Sequence, residues 1–417
     1  MLKLVKRAIA QAKEKTKIEK EFMQSLKKGK NVAEALPLKR VEENVVLSLS
    51  EKWWLEEWFG KFGMSFFKGT IIFAFVVPEL MRIILIILLL FYYKSQTYAT
   101  YLFAGLCGDF LFTVVPLVLI NAVHKSLMKV KDAINEYSLE NMFRPPISKI
   151  CVKKPSVAKL DEEYVCRFFR PVVLKTAQYG FDLVFNKNYC LGIGFIAGCL
   201  TAVITILFPH RYWGPSEFYP LEFLHRIIYI PYIWFIMGMT AWILFLSFLI
   251  VIHAGRYILD FIPQKPLKNY YKPHIRLALL NCFALATLVS IGSPYLFLSS
   301  IIPPDPIARA EAIRLMCLML VIWIPILIIL FLKQLRAIHW GMRTSKERKL
   351  LLIESKLKNI KEKITENPDK YIAEYYIVEK DYEAVLKNSD RPVDYQTCLQ
   401  IIGTLIIPVI GYLILFL

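Results

Sequence analysis

Residues 69–93 read GTIIFAFVVPELMRIILIILLLFYY. A helix of this stretch is about 37 Å long at the usual rise, enough to cross the roughly 30 Å hydrocarbon core of a bilayer. Only Glu79 and Arg82 carry charge in it. Outward along the chain, six further runs have the same character: 99–123, 189–208, 227–252, 277–302, 313–332 and 398–417. The chain is 56% hydrophobic with a mean hydropathy of +0.45 over 417 residues. Hydrocarbon offers the backbone no water to bond, so spans of this kind must be helical. The pattern predicts an all-α, polytopic membrane helix bundle with seven transmembrane helices.

Charge supplies the orientation. Segments 1–68, 124–188, 253–276 and 333–397 alternate with outer connections and hold 46 of the 52 Lys and Arg and 28 of the 34 acids. The net charge of +18 is thus concentrated on one face, which the positive-inside tendency assigns to the cytoplasm. The expected topology has its N-terminus inside and its C-terminus outside, in the cell membrane. Basic residues beside spans contact anionic headgroups of the inner leaflet, so the partner expected from this charge is the lipid bilayer and not nucleic acid.

The expected organisation runs from a basic N-terminal region (1–47) through an interfacial aromatic helix (48–67) to a first transmembrane hairpin (68–123). A cytoplasmic loop (124–188), spans three and four (189–252), a second loop (253–276) and spans five and six (277–332) follow. A cytoplasmic helical hairpin (333–397) and the seventh span (398–417) complete it. In 48–67, Ser48 and Glu51 have capping-box spacing, and Trp53, Trp54, Trp58 and Phe59 suit the headgroup boundary. Beyond the second span, Leu127, Val130, Ile134 and Tyr137 keep helical spacing, so that helix should project below the membrane. Heptad spacing at Leu350, Ile353, Leu357, Ile360 and Ile364, a break at Asn367-Pro368, then Tyr371, Tyr375, Val378, Tyr382 and Val385 predict an antiparallel hairpin with a coiled-coil seam.

The candidate chemistry lies in the first two spans. A charge at the bilayer centre costs about 2.5–3.5 kcal/mol on insertion scales, which marks Glu79, Arg82 and Asp109 as transport or gating candidates. With the connection centred near Gln96, Arg82 and Asp109 are expected at nearly equal depth, with Glu79 one turn away. The competing structural reading is a charge trio that only locks two helices. Pro78 and Pro116 interrupt the helices that carry these charges. Gly194, Gly198 and Ala202 at four-residue spacing predict close helix packing on the third span.

Enzyme motifs are missing: there is no GxSxG, Walker or GxGxxG pattern, no HExxH and no CxxC. No cofactor, metal or catalytic residue is expected, and the eight cysteines read as small packing groups. The layout resembles that of insect odorant-receptor-type channels at the level of topology. The function expected first is an ion or small-solute channel or transporter using the midplane charges. The alternative is a membrane-anchored receptor, scaffold or insertion factor acting through its cytoplasmic hairpin, with a protein partner at 344–388. A homo-oligomer is compatible with either.

Overall fold

The computed structural model of the protein describes residues 46–91, 96–139, 143–144, 174, 177–207, 219–259, 267–301 and 306–387. These residues are helical apart from short connections and one two-residue antiparallel pair, β1 (Phe143–Arg144) with β2 (Ile258–Leu259). The helices are α1 (Trp54–Lys61), α2 (Phe66–Gly69), a π-helix (Thr70–Val76), α3 (Val77–Phe91) and α4 (Gln96–Leu139). They continue as α5 (Lys187–Leu207), α6 (Tyr219–Ala254), α7 (Leu267–Ile301), α8 (Pro306–Glu366) and α9 (Pro368–Lys387). Packing joins α5 to α6, α4 to α6 and α7, and α8 to α7 and α9.

Among the described residues, three helical segments are long and apolar enough to cross a membrane, not seven: Leu106–Tyr137, Lys187–Ile204 and Ile227–Ala254. A fourth is reached if α1 and Phe66–Val76, bent at 86°, are counted as one broken span. The shortfall has a local cause at the first expected span. Stretch 69–93 is divided between a π-helix of 7 residues and an α-helix of 15, with a change of winding between them. The expected span 398–417 lies outside the described residues, as do the basic region 1–45 and the side chains of 289–324.

The interfacial helix starts later than its sequence signal. α1 begins at Trp54 after Trp53, which makes no side-chain cap, and Ser48 and Glu51 precede it in extended chain. Ser48 is instead held by Gln178, whose side chain bonds both its N–H (2.6 Å) and its carbonyl (2.9 Å). Asn135 does the same for Leu47, at 2.7 Å each way. Long-range amide bonds outcompete the local cap, because they satisfy two backbone groups per side chain. The strap 46–52 is thereby tied across α4 and the helical stretch 177–184.

α1 is clamped to the foot of the π-helix by rings. Phe59 stacks on Phe73 at 5.9 Å and Trp58 meets Phe73 edge-on at 4.9 Å. The Phe59 ring lies over Gly69, where any Cβ would strike it. Trp53 is buried among Phe66 and Phe185, so of the tryptophans named for the interface it is a core residue and Trp58 is the exposed one.

α4 and α8 are long continuous rods. Leu127, Val130, Ile134 and Tyr137 are all buried. α8 has 61 residues, about 90 Å at helical rise, three times the hydrocarbon thickness. Asn367 stops it and α9 folds back: Lys346 Nζ donates to the Leu386 carbonyl (3.0 Å), Tyr382 Oη to Glu354 (3.2 Å), and the Lys361 ammonium sits over Tyr375. Numbers rising on α8 as they fall on α9 make the pair antiparallel. Ile353, Ile360 and Val385 form its buried seam.

Candidate functional site

Glu79 is fully buried and Asp109 is 3% exposed, each within an apolar helix. Glu79 belongs to the first turn of α3, directly after the π-helix. Pro78 lies at the second position of α3, where its missing N–H would otherwise bond a carbonyl one turn back, among residues wound as π. The change of winding and the proline are thus two aspects of one local feature. Arg82 is on the same helix, with its side chain outside the described residues.

Two sets of contacts give the depth of these groups. Phe75 meets Phe110 edge-on at 5.0 Å. On α6, Tyr229 Oη donates to the Asp109 carbonyl (3.4 Å) and Tyr232 Oη, one turn on, donates to the Phe73 carbonyl (3.3 Å). Both place Asp109 level with residue 76, so Glu79 is about 4.5 Å and Arg82 about 9 Å further along α3. Equal depth of Arg82 and Asp109, as expected from the sequence, is corrected by two turns. The expectation centred the turn at Gln96, whereas α4 already begins there. Glu79, with its backbone one turn from Asp109, is the nearer of the two.

Asp109 sits in a hydrogen-bonded section of α4. Its carbonyl accepts from Thr113 Oγ1 (2.9 Å) as well as Tyr229. Pro116, buried, lies in an unbroken helix of 44 residues, so the chain runs through it without a break. The Thr70 hydroxyl at the start of the π-helix is buried with no hydrogen-bond partner among the described residues.

A second polar region, of neutral groups, joins α6, α7 and α8. Ser247 Oγ on α6 donates to Asn281 Oδ1 on α7 (2.7 Å), and Asn281 Nδ2 reaches Gln334 Oε1 on α8 (3.4 Å). All three are fully buried. Two turns before Asn281 on the same face, His274 is fully buried, with Nδ1 2.9 Å from the Tyr270 carbonyl. That bond requires the proton on Nδ1 and leaves Nε2 as a bare acceptor. Burial holds the imidazole pKa down at about 4, opposed in part by the Tyr270 bond. Burial likewise raises the phenols of Tyr257, Tyr270 and Tyr271, and Tyr271 Oη donates to the Tyr257 carbonyl (2.6 Å).

Glycine permits the closest approach in this region. A Cβ on Gly341 would strike the Gly255 carbonyl and come within 2.8 Å of Tyr271 Oη. Neither glycine is marked by a sequence motif. The seven-residue spacing of His274 and Asn281 was a readable signal; Gln334 was hidden beside Lys333, where the apolar run ends.

The small residues of the third span face α6. A Cβ at Gly194 would lie 2.7 Å from the Phe235 carbonyl, and one at Gly198 2.9 Å from that of Pro231. Ala202 is half-buried one turn on. Cys107, Cys190, Cys199 and Cys282 are free thiols, and no group of three His, Cys, Asp or Glu side chains converges among the described residues. His124 Nε2 lies 3.1 Å from the Ser50 carbonyl. Compared with protein-family models, curated proteins and solved structures, the chain matches none of them, so its function has to be read from its own side chains.

Proposed function

We propose that this chain is a seven-span protein of the cell membrane, N-terminus inside and C-terminus outside, that conducts or carries an ion or small polar solute past Glu79 and Asp109. The supporting observation is two buried carboxylates, one turn apart in depth, beside a π-helix. Carboxylates within membrane-spanning helices are by default candidates for ion and proton pathways. π-Turns loosen the regular backbone ladder and recur at functional sites. Phe73 in that turn directs its carbonyl to a phenol on another helix, so α6 is in a position to sense or gate changes there. Arg82 supplies the counter-charge, leaving the set at −1 and favouring a cation. Pro78 holds the winding change, and Pro116 the inner flank of Asp109.

The test is ion and proton flux through purified protein in liposomes, comparing wild type with Glu79→Gln, Asp109→Asn and Arg82→Gln. Flux altered by the substitutions in normally folded protein supports the reading. Variants that change only yield, or a wild type tight under every gradient, overturn it.

A second reading has its own observation. The α8–α9 hairpin exposes Leu351, Leu352, Ile372, Tyr376 and Ile377, an apolar face consistent with a receptor, scaffold or insertion factor that uses a coiled-coil-like seam to present a partner site. Loss of a bound protein on Tyr376→Lys/Ile377→Lys, with flux unchanged, would favour it.

A further inference from the structure

Where α1 meets the start of α5, a surface cleft of about 400 Å³ is lined by Trp54, Leu55, Glu57, Trp58, Lys61 and Lys187. Lys61 and Lys187 are 126 positions apart in sequence and both are exposed. Among the described residues neither ammonium has an ion-pair partner. Lys61 has Glu57 at the favourable i−4 position on α1, yet the two form no ion pair; the Ser50 hydroxyl, which donates to the Lys52 carbonyl (2.8 Å), lies 3.3 Å from that carboxylate. Two like charges line one cleft, and Glu57, the acid among its lining residues, pairs with neither.

The surroundings say what would neutralise them. α1 meets the following helical segment at 86°, so it lies in the membrane plane if that segment enters the bilayer. Lys187 is the first residue of a span, at the same boundary. Indoles favour this headgroup level. Further along α5, on the side away from α6, exposed Ile196, at 52%, and Val203, at 54%, share one apolar stripe suited to acyl chains.

We infer that this cleft binds the headgroup phosphate of an anionic glycerophospholipid, with Lys61 and Lys187 as the phosphate ligands and the indoles of Trp54 and Trp58 flanking the glycerol backbone. The inference goes beyond the transport reading and does not depend on it; it rests on α5 spanning the membrane and on the segment Phe66–Val76 entering it. The clamp of Phe59 over Gly69 holds α1, and hence Lys61, in place.

The full chain, delipidated in detergent, is titrated with phosphatidylglycerol or phosphatidylcholine, and bound lipids per chain are counted by native mass spectrometry. Wild type should retain one phosphatidylglycerol that phosphatidylcholine does not displace. Lys61→Gln/Lys187→Gln should weaken that lipid about tenfold or more, while Lys61→Arg/Lys187→Arg keeps it. Lys356→Gln/Lys358→Gln, on the exposed hairpin, removes the same charge elsewhere and should leave it unchanged. Equal loss in that control, equal competition by phosphatidylcholine, or displacement by millimolar inorganic phosphate alone would overturn the site. If the glutamine variant does not fold, the wild-type competition and the arginine variant still decide. Flotation of every variant with liposomes separates failure of this site from failure of the membrane reading.

Discussion

Two regions of the molecule bury polar groups in opposite ways. Near the π-helix it buries carboxylates, at Glu79 and Asp109, in helices that are otherwise apolar. Around α6, α7 and α8 it buries neutral groups: Ser247, Asn281 and Gln334 pass hydrogen bonds from helix to helix, while Tyr271 holds the connection after α6 and His274 bonds within α7. A neutral network that finds its partners is a structural solution, of modest energy within a membrane. A buried carboxylate is costly even when paired, and apolar side chains of similar volume often do the structural work better. On the proposed function, the contrast puts chemistry in the first region and architecture in the second.

The sharpest way to break that contrast is to neutralise each region and read both flux and stability. Glu79→Gln and Asp109→Asn should change liposome flux by an order of magnitude or more while thermal stability falls little. A large loss of stability with unchanged flux would make the carboxylates architectural too.

In the second region the largest effect should come from volume. Gly341→Val forces side-chain atoms onto the Gly255 carbonyl and Tyr271, and overpacking of this kind costs up to about 3 kcal/mol. Its thermal midpoint in detergent should drop by many degrees, and wild-type stability would mean that α6 and α8 are not in contact there.

His274 gives a test by pH. The unfolded imidazole titrates near 6.5 and the folded one at about 4, so between those values the unfolded chain binds a proton that the folded chain refuses. Its contribution is intact above pH 6.5 and declines as pH falls, by roughly 3 kcal/mol once pH 4 is reached. His274→Gln should flatten the acid limb of the stability curve. Parallel curves for variant and wild type would assign that limb to other groups.

Smaller changes refine the architecture. Asn281→Ala leaves the Ser247 hydroxyl and the Gln334 amide without their shared partner, and should cost about 1–2 kcal/mol. Tyr382→Phe removes one exposed bond to Glu354 in the hairpin and should lower the thermal midpoint far less than Asn281→Ala does. A comparable loss from both, measured by thermal unfolding, would erase the distinction between buried and surface polar contacts.

Much of this was legible in the chain. The apolar runs at 99–123, 189–208 and 227–252 correspond to helices able to span a membrane, because a run of that length with helical backbone has few other solutions. The helical continuation of α4 through Tyr137 and the reversal at Asn367-Pro368 were written in local spacing. Glu79 and Asp109 stood out for being charges in the wrong place, and both are buried. Other features resisted. The capping-box pair at Ser48 and Glu51 lost to Gln178, 130 residues away from Ser48, and no local pattern carries such a partner. The depth of Arg82 against Asp109 was misjudged because a turn centre guessed a few residues late shifts an antiparallel register by twice that amount.

The sequence by itself determined the helical class, the apolar segments, the segments that carry the positive charge, and the identity of the misplaced carboxylates. These follow from hydrophobicity and backbone hydrogen bonding, which act along neighbouring residues. Only the tertiary structure decided that the first apolar run winds as π before α, that Ser247, Asn281 and Gln334 form one network, and that Lys61 and Lys187 share a cleft. Each of these depends on which helix faces which and at what register. Side-chain packing between distant segments sets that choice, and no local periodicity encodes it.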